Sequence, residues 1–557
     1  MNKKNILAVL LILSGLFVSE FATAQKYWIK FKNKTGTPFT IGNPSAYLSS
    51  KSIGRRAMHG IGIDSTDLPV TPSYVSQVDA VSGVTILSRS KWMNGVVVQV
   101  TNTVALTTIN SFSFVQSSNP VNKYKVVYPV IEKSQINSSQ QNSAKNANMP
   151  GYKYGGALNQ AQMIGADCMH NAGYRGQGIT ISVMDAGFTN VNNDDIFDSL
   201  YLQGRMKGVY DFVDNDYGVY SEHTHGAMVL STMAACYPDS IIGTAPKADY
   251  WLFRTEDGAT ETPSEEYNWI RAIEYADSLG TDIATTSLGY TKFDNSVYDH
   301  TYSQLNGKTS LMSKAATMAT RKGIIVLNAA GNEGGCGSPS PTCWYYISVP
   351  ADADSIITVG AVDASKTKAG FSSFGPTSDG RIKPDLCAQG QAAYVCFGGC
   401  FPGNGTSFAT PVLAGATACL LQAKPFATPM LLTQAMKASA TNSAIPNNSI
   451  GWGVPNMCVA RLSSLLSVHE KGNADAMNLS VFPNPFSNSL TIRFNEFTPE
   501  KPSIIVRDVL GKVVLTKNFS ITTDEIVLNE FDGLNQGLYF ITVSSGNINV
   551  VKKIVKQ

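Results

Sequence analysis

Between Leu413 and Ala418 the chain reads Leu-Ala-Gly-Ala-Thr-Ala, a run of small and apolar residues without a charge. A helix built from such residues has no face suited to water and must be enclosed on all sides. That demand constrains the fold most, because it requires a layer of structure on each side of the helix. The helix is expected to begin at about Thr406, directly after Gly405, whose missing side chain lets the backbone turn tightly. Pro411 is expected within its first turn, where an absent N–H costs little. Ser407 then sits at the positive helix end, with its backbone N–H pointing out of it.

A serine in that place suits a nucleophile, but its hydroxyl is weak at neutral pH and needs a base beside it. His225, followed by Gly226, is a candidate for general base and then acid, since imidazole titrates close to working pH. Asp185, closing the run Ile181-Ser182-Val183-Met184, can hold that imidazole in one tautomer and stabilise the imidazolium. Asn332 follows the apolar run Gly323-Ile324-Ile325-Val326-Leu327, which reads as a buried strand. Its side-chain amide is a candidate oxyanion donor, alongside the Ser407 N–H. Each residue also has an ordinary reading. Asp185-Ala186-Gly187 is good turn chemistry, His223 is a second candidate base, and Asn332-Glu333-Gly334 suits a plain loop.

Taken together, Asp185, His225-Gly226, the stretch from Asn328 to Gly334 and the stretch from Gly405 to Pro411 resemble, in residues and in order, the subtilisin-like serine peptidases (subtilases, the S8 family). Ile242-Gly243-Thr244-Ala245-Pro246, Phe371-Ser372-Ser373-Phe374-Gly375-Pro376, Lys383-Pro384-Asp385-Leu386 and Gly451-Trp452-Gly453-Val454-Pro455-Asn456 extend the resemblance. Thr286-Ser287-Leu288-Gly289 resembles the strand that lines the family's substrate cleft. The resemblance therefore implies substrate binding by Ser287, Leu288 and Gly289, and by Ala330 and Gly331, with an extended substrate added as a strand. There are departures. Ala227 and Met228 stand where the family has threonine and histidine, and Tyr290 stands where glycine is usual, which predicts a narrower cleft or an aromatic wall.

The 557 residues are long for one domain and suggest three. The expected boundaries are a signal peptide at 1–24, a small α+β propeptide-like module at 25–133, a linker at 134–150, the subtilisin-like domain at 151–466, a second linker at 467–476 and a C-terminal β-sandwich at 477–557. Lys3 and Lys4, the apolar stretch that follows and Ala22-Thr23-Ala24 make up the signal. No later apolar run approaches the roughly 20 residues that a membrane helix needs. Tyr27-Trp28-Ile29-Lys30-Phe31 and Val96-Val97-Val98-Gln99-Val100 have strand character. Placement before a subtilase-like domain implies a propeptide that assists folding and blocks the cleft, as against an accessory binding module.

Beyond about residue 470 helical patterning stops, and short alternating runs such as Leu490-Thr491-Ile492-Arg493-Phe494 predict the small sandwich. Val481-Phe482-Pro483-Asn484-Pro485-Phe486, residues 508–511, Gly537-Leu538-Tyr539 and Lys552-Lys553-Ile554-Val555-Lys556 resemble the C-terminal sorting domain of the type IX secretion system. That resemblance implies export from a Gram-negative bacterium, the secretion machinery as a partner, and attachment to surface lipopolysaccharide. The plainer reading is a generic binding sandwich.

All nine cysteines lie between Cys168 and Cys458. Export makes disulfides permissible. Cys336 and Cys343 bracket a loop after Asn332 and are expected to bridge, with Cys396 and Cys400 as a second candidate pair. Nine is odd, so at least one cysteine lacks an intrachain partner. Cys236 and Cys419 sit in apolar runs read as helical and are expected to be free and buried. No Cys/His spacing suits zinc. Asn192, Asn193, Asp194 and Asp195 offer oxygen ligands for calcium, which the resemblance allows, as against a solvated polar loop. No cofactor is expected to be required.

The sequence thus predicts an α/β core, a parallel sheet with helices on both faces, in a secreted monomeric serine endopeptidase acting on a protein or peptide. A net charge of +2 gives no reason to expect nucleic acid as a partner. The rivals are a catalytically silent surface adhesin on the same fold and a processing peptidase dedicated to one protein. Arg254 is followed by the acidic residues Glu256, Asp257, Glu261, Glu265 and Glu266, where the family builds non-primed subsites. They predict a preference for basic side chains, as against carboxylates that face water.

Overall fold

Alternating β-branched residues give the N-terminal module a sheet with two apolar faces. In the computed structural model the described residues are 25–122, 153–340, 343–466, 479–494, 501–508, 512–520, 523–545 and 548–557. The expected signal peptide and both expected linkers fall outside them. Strands β1 (Gln25–Phe31), β2 (Val84–Ser90), β3 (Gly95–Val100) and β4 (Val115–Asn122) pair antiparallel in the order β2-β3-β1-β4. Ile29, Val96 and Val98 face helices α2 (Pro72–Asp79) and α3 (Thr103–Ser111), while helix α1 (Ser50–Met58) lies between β1 and α2 in sequence. The opposite face, with Trp28, Val97 and Val121, packs on Tyr267 and Leu311 of the domain that follows.

That domain is built on seven parallel strands: β5 (Thr180–Asp185), β6 (Met206–Asp211), β7 (Asp249–Arg254), β8 (Ile283–Thr286), β9 (Ile325–Ala329), β10 (Ile357–Val362) and β11 (Leu386–Gln389). Their order across the sheet is β6-β7-β5-β8-β9-β10-β11. Helices α4 (His225–Ala234), α5 (Pro263–Leu279), α6 (Leu311–Arg321) and α7 (Thr406–Ala423) cover both faces. Ile325 and Leu327 point into the core with α4 and α7, and Val326 points into the core with α5 and α6. This is why the central strands read as unbroken apolar runs. Helix α5 starts where the sequence says it should, with a capping box between Thr262 and Glu265 and Pro263 at its first turn, and it ends at Gly280 in the left-handed region. The chain adds strands on one side of β5 and then, from β8 onward, on the other. A cleft is expected at such a reversal, beyond the carboxyl ends of β5 and β8.

Helix α7 is enclosed as its composition demands, with every residue from Thr406 to Leu421 buried. Pro411 lies further in than expected: it is the sixth residue of the helix and not part of the first turn. Three disulfides occur, Cys336–Cys343, Cys396–Cys400 and Cys168–Cys458. The last joins residues 290 apart in sequence, beyond what spacing could suggest. Cys419 and Cys387 are free and buried, but Cys236 is only half-buried and lies in the short strand Cys236–Tyr237 just past the end of α4.

Residues 467–557 form a separate unit. A three-stranded sheet of Leu479–Phe482, Leu490–Phe494 and Glu525–Leu528 and a four-stranded sheet of Ser503–Asp508, Val513–Asn518, Gly537–Ser545 and Ile548–Lys556 share one core, to which Ile492 and Leu528 contribute from the first and Val506 and Ile541 from the second. The pairings between these strands are antiparallel, so the described residues of the unit form a seven-stranded β-sandwich.

Candidate active site

Asp185 ends β5 with its side chain fully buried. Its Oδ1 accepts the backbone N–H of Ala186 at 2.8 Å and lies 2.7 Å from Nδ1 of His225. An ionised carboxylate only accepts, so Nδ1 carries the proton and Nε2 keeps the lone pair that a base needs. Asp185 Oδ2 is buried with no partner among the described residues. His225 is the first residue of α4 and its ring lies 5.9 Å from that of Phe408. A side chain at Gly226 would run into the carbonyl oxygen of Gly187. The His-Gly pair is therefore what lets the start of α4 press on the turn after Asp185.

Ser407 is the second residue of α7. Its hydroxyl donates to the carbonyl of Ser287 at 3.1 Å, and the Ser287 hydroxyl donates back to the carbonyl of Ser407 at 2.8 Å. The second bond has a definite cause. The Ser407 carbonyl would normally accept the N–H four residues on, and that residue is Pro411, which has none. Ser287 fills the vacancy and ties α7 to the end of β8. Asn332 Oδ1 accepts from both the backbone N–H and the hydroxyl of Thr406, at 2.9 Å each, and the Thr406 hydroxyl accepts Gly331 N–H at 3.3 Å. With its oxygen held on Thr406, the amide of Asn332 has its NH₂ end as the donor.

The candidate substrate-binding residues gather at the same edge. Ser287, Leu288 and Gly289 continue from β8, and Ala330 and Gly331 continue from β9. Asn328 Nδ2 donates to the Leu288 carbonyl at 3.1 Å, Ala330 N–H donates to Val359 at 3.0 Å, and Gly331 adopts φ +110°. Tyr290 forms no cleft wall. It is fully buried, its N–H donates to Val349 at 2.8 Å, and its ring is 6.3 Å from Phe293. Burial, then the nearby carboxylates led by Glu256, push its hydroxyl well above the usual tyrosine range.

Much of the acidic run is engaged within the domain. Glu265 accepts Thr262 N–H at 3.1 Å and Asp257 N–H at 3.2 Å. Glu266 is 2.7 Å from His300 Nε2; burial opposes a charge on that imidazole, but Glu266 outweighs it and raises the imidazole above its usual range. Arg254 pairs with Asp211 at 2.6 Å and Asp214 at 2.7 Å. A row of carboxylates all turned to a substrate is therefore not what the fold builds: Asp257 accepts Ala259 N–H at 3.1 Å and the Thr260 hydroxyl at 3.2 Å, and Glu256 is only 2% exposed. His223, the alternative base, is exposed, and its Nδ1 accepts the backbone N–H of His225 at 3.1 Å. Asn193 donates to Asn192 at 3.3 Å, and Asp194 accepts Ile196 N–H at 3.2 Å. Among the described residues no group of three or more His, Cys, Asp or Glu side chains is placed to hold a metal ion. Thr406 and Phe408, which position Asn332 and flank His225, were not singled out from sequence although they border Ser407 directly.

Three family descriptions match the chain. The Subtilase family covers residues 176–453, the Peptidase S8 propeptide domain of Bacteroidota covers 26–143, and a secretion system C-terminal sorting domain covers 480–557. Subtilisin NAT of Bacillus subtilis subsp. natto is 32% identical over 281 residues, which is 50% of this chain and 64% of that protein. Subtilisin of Bacillus pumilus is 31% identical over 281 residues, 50% of this chain and 89% of that protein. Subtilisin Savinase of Lederbergia lenta is 27% identical over 300 residues, 53% of this chain and 94% of that protein. The chain thus spans 64% of the length of the first Bacillus subtilis relatives it matches.

Proposed function

Because the chain belongs to the subtilase family, we propose that it is a serine endopeptidase that cleaves peptide bonds through an acyl-enzyme. The observation that carries this reading is the buried 2.7 Å pair of Asp185 and His225 beside a helix start that presents Ser407. Ser407 Oγ is the nucleophile. For attack its hydroxyl exchanges the Ser287 carbonyl for Nε2 of His225, which takes the proton and later returns it to the leaving amine. Asp185 keeps the imidazole in the Nδ1–H tautomer and stabilises the imidazolium. The Ser407 N–H and the Asn332 amide receive the oxyanion; one such donor is worth roughly 10²–10³ in rate. Ser287 to Gly289, with Ala330 and Gly331, line an extended substrate.

The N-terminal module is the propeptide and the C-terminal sandwich a sorting domain for type IX secretion, so the protein is secreted or held at the cell surface. The boundaries that go with this reading are 25–133, 151–466 and 477–557, with a removable signal at 1–24. Attachment of the exported chain to lipopolysaccharide and action as a monomer belong to the same reading. Labelling with a serine-directed phosphonate, followed by peptide mapping, tests it. Modification of Ser407 in the wild type and none in Ser407→Ala is expected. An unlabelled, folded wild type would favour an adhesin on the same fold.

A further inference from the structure

Helix α4 begins at His225 itself, so the base sits where backbone N–H groups lack helical partners. Thr224, the residue before it, makes no side-chain cap bond. The His225 N–H instead donates to Nδ1 of His223 at 3.1 Å. A backbone N–H can only donate, so Nδ1 of His223 must carry a lone pair, and that imidazole is neutral with its proton on Nε2. The same ring reaches across to the loop after β7, where a Cβ on Gly258 would come 3.0 Å from His223 Cδ2. The His223 backbone also holds the turn after Asp185: its carbonyl accepts Thr189 N–H at 3.2 Å.

We propose that His223 is a positioning residue for the general base, holding the His225 end of α4 through an acceptor nitrogen that is lost when His223 takes up a proton. The proposal rests on the peptidase reading above. Protonation places an N–H on Nδ1 facing the N–H of His225, two donors with no acceptor between them. It also puts a positive charge 6.3 Å, ring to ring, from the imidazole that must itself become cationic in the transition state. Charged and titratable groups near His223 include Glu222 beside it, His225 on α4, Asp185 at the end of β5, Asp257 next to Gly258, and Arg254, whose guanidinium lies 3.8 Å from Glu222. His223 is exposed, so it exchanges protons with solvent while His225 stays buried.

The test is the pH profile of kcat/KM, from about pH 5 to 8, for the matured wild type, His223→Asn and His223→Leu, with active sites counted by phosphonate titration. Asparagine keeps an acceptor oxygen and does not titrate; leucine supplies neither. The wild type is expected to lose activity more steeply than tenfold per pH unit on the acid side, because two protons are bound. His223→Asn should fall tenfold per unit, with a plateau within about threefold of the wild type. His223→Leu should lower the plateau kcat about fivefold with KM unchanged, the size of a lost helix cap. Identical one-proton acid limbs in the wild type and His223→Asn, or a wild-type plateau in His223→Leu, overturn the positioning role alone. A wild type that neither cleaves nor labels overturns the peptidase reading and this role with it.

Discussion

The middle strands of the parallel sheet are held by opposite kinds of contact at their two ends, while β6 and β7 carry the Arg254–Asp211 ion pair at their carboxyl ends. At the carboxyl ends of β5, β8 and β9, apart from the Asp185–His225 pair, the contacts are neutral hydrogen bonds: Ser287 with Ser407, Asn328 with Leu288, and Thr406 with Asn332 and Gly331. At the amino ends the N-terminal module grips the same sheet with charges. Lys51 pairs with Asp282 at 2.7 Å, Arg55 with Asp277 at 2.6 Å, and Arg56 bridges Asp67 at 2.7 Å and Asp277 at 2.8 Å. Lys322 joins Asp67 at 2.7 Å, and the carboxylate of Glu274 accepts Lys91 N–H at 2.7 Å and Trp92 N–H at 3.1 Å. Burying such ions costs about as much as their attraction returns, so the network adds specificity more than net stability. A module meant to leave is suited by that arrangement, because each charge regains water on separation. A site meant to stay fixed is better served by neutral partners from neighbouring strands.

The sharpest separation of the two ends is Ser407→Ala. It should lower kcat/KM by roughly 10⁴–10⁶-fold while leaving the melting temperature of the uncut chain unchanged. His225→Ala should do comparable damage and His223→Ala much less, measured on one peptide substrate. If the two histidine variants exchange ranks, the base has been misassigned.

Arg56→Ala attacks the other end. It removes the guanidinium that bridges Asp67 and Asp277, leaving them Lys322 and Arg55 respectively, a loss of about 3–5 kcal/mol in the uncut chain. Denaturant titration of the uncut Ser407→Ala protein, with and without Arg56→Ala, measures it. Arg56 leaves with the module, so coupling between the ends is read at the partner that stays: Asp277→Asn, once matured, should keep kcat/KM within about twofold of the wild type, since no group at the carboxyl ends has changed. A matured enzyme whose kcat falls in step with the lost stability would mean that the two ends are coupled through the sheet.

The difference between the ends also explains what could be read in the sequence. Ser407, His225, Asp185 and Asn332 belong to short contiguous stretches whose local chemistry, a helix start or a strand end, is visible residue by residue, and the structure brings their stretches to one edge. The enclosed helix α7 and the apolar strands were legible because composition alone forbids them a wet face. The charged grip was not legible. Arg55 and Asp277 are 222 residues apart, and nothing local distinguishes either from a solvated surface charge. The same holds for Cys168–Cys458. Tyr290 misled because a ring where glycine is usual implied a narrower cleft or an aromatic wall, whereas it turns inward onto Phe293. Two residues of the acidic run have duties that the sequence reading did not assign: Glu265 serves the start of α5 and Glu266 serves His300.

Acid should reveal a weakness in the neutral, hydrogen-bonded part of the molecule. His170 is buried, with Tyr154 Oη 2.6 Å from Nδ1 and the Thr244 carbonyl 3.0 Å from Nε2. Burial lowers its imidazole to about 4, against the opposing bond to Thr244. The unfolded chain therefore binds this proton first, and between about pH 6.5 and 4 stability falls as pH falls. The full effect is about 3 kcal/mol, from the distance between the two values. Melting of the matured domain across that range should show the slope, and His170→Gln should flatten it. An unchanged slope in the variant would move the acid sensitivity elsewhere.

The smallest effect isolates one bond at the carboxyl end. Ser287 donates to the Ser407 carbonyl only because Pro411 cannot. Ser287→Ala leaves that buried carbonyl without its donor and should cost about 1–2 kcal/mol, read from the denaturant midpoint. The Ser287 carbonyl, which receives the Ser407 hydroxyl, is untouched, so kcat should change by no more than about threefold. Pro411→Ala restores an N–H at the right place in α7 and gives the Ser407 carbonyl a helical partner. In that background, Ser287→Ala should cost less than about 0.5 kcal/mol, because the carbonyl is already satisfied. The double-mutant cycle therefore predicts a coupling of about 1 kcal/mol between two residues that never touch except through one oxygen. Additive losses would show that the Ser287 hydroxyl acts through packing, and the account of why α7 tolerates a proline in its second turn would fail.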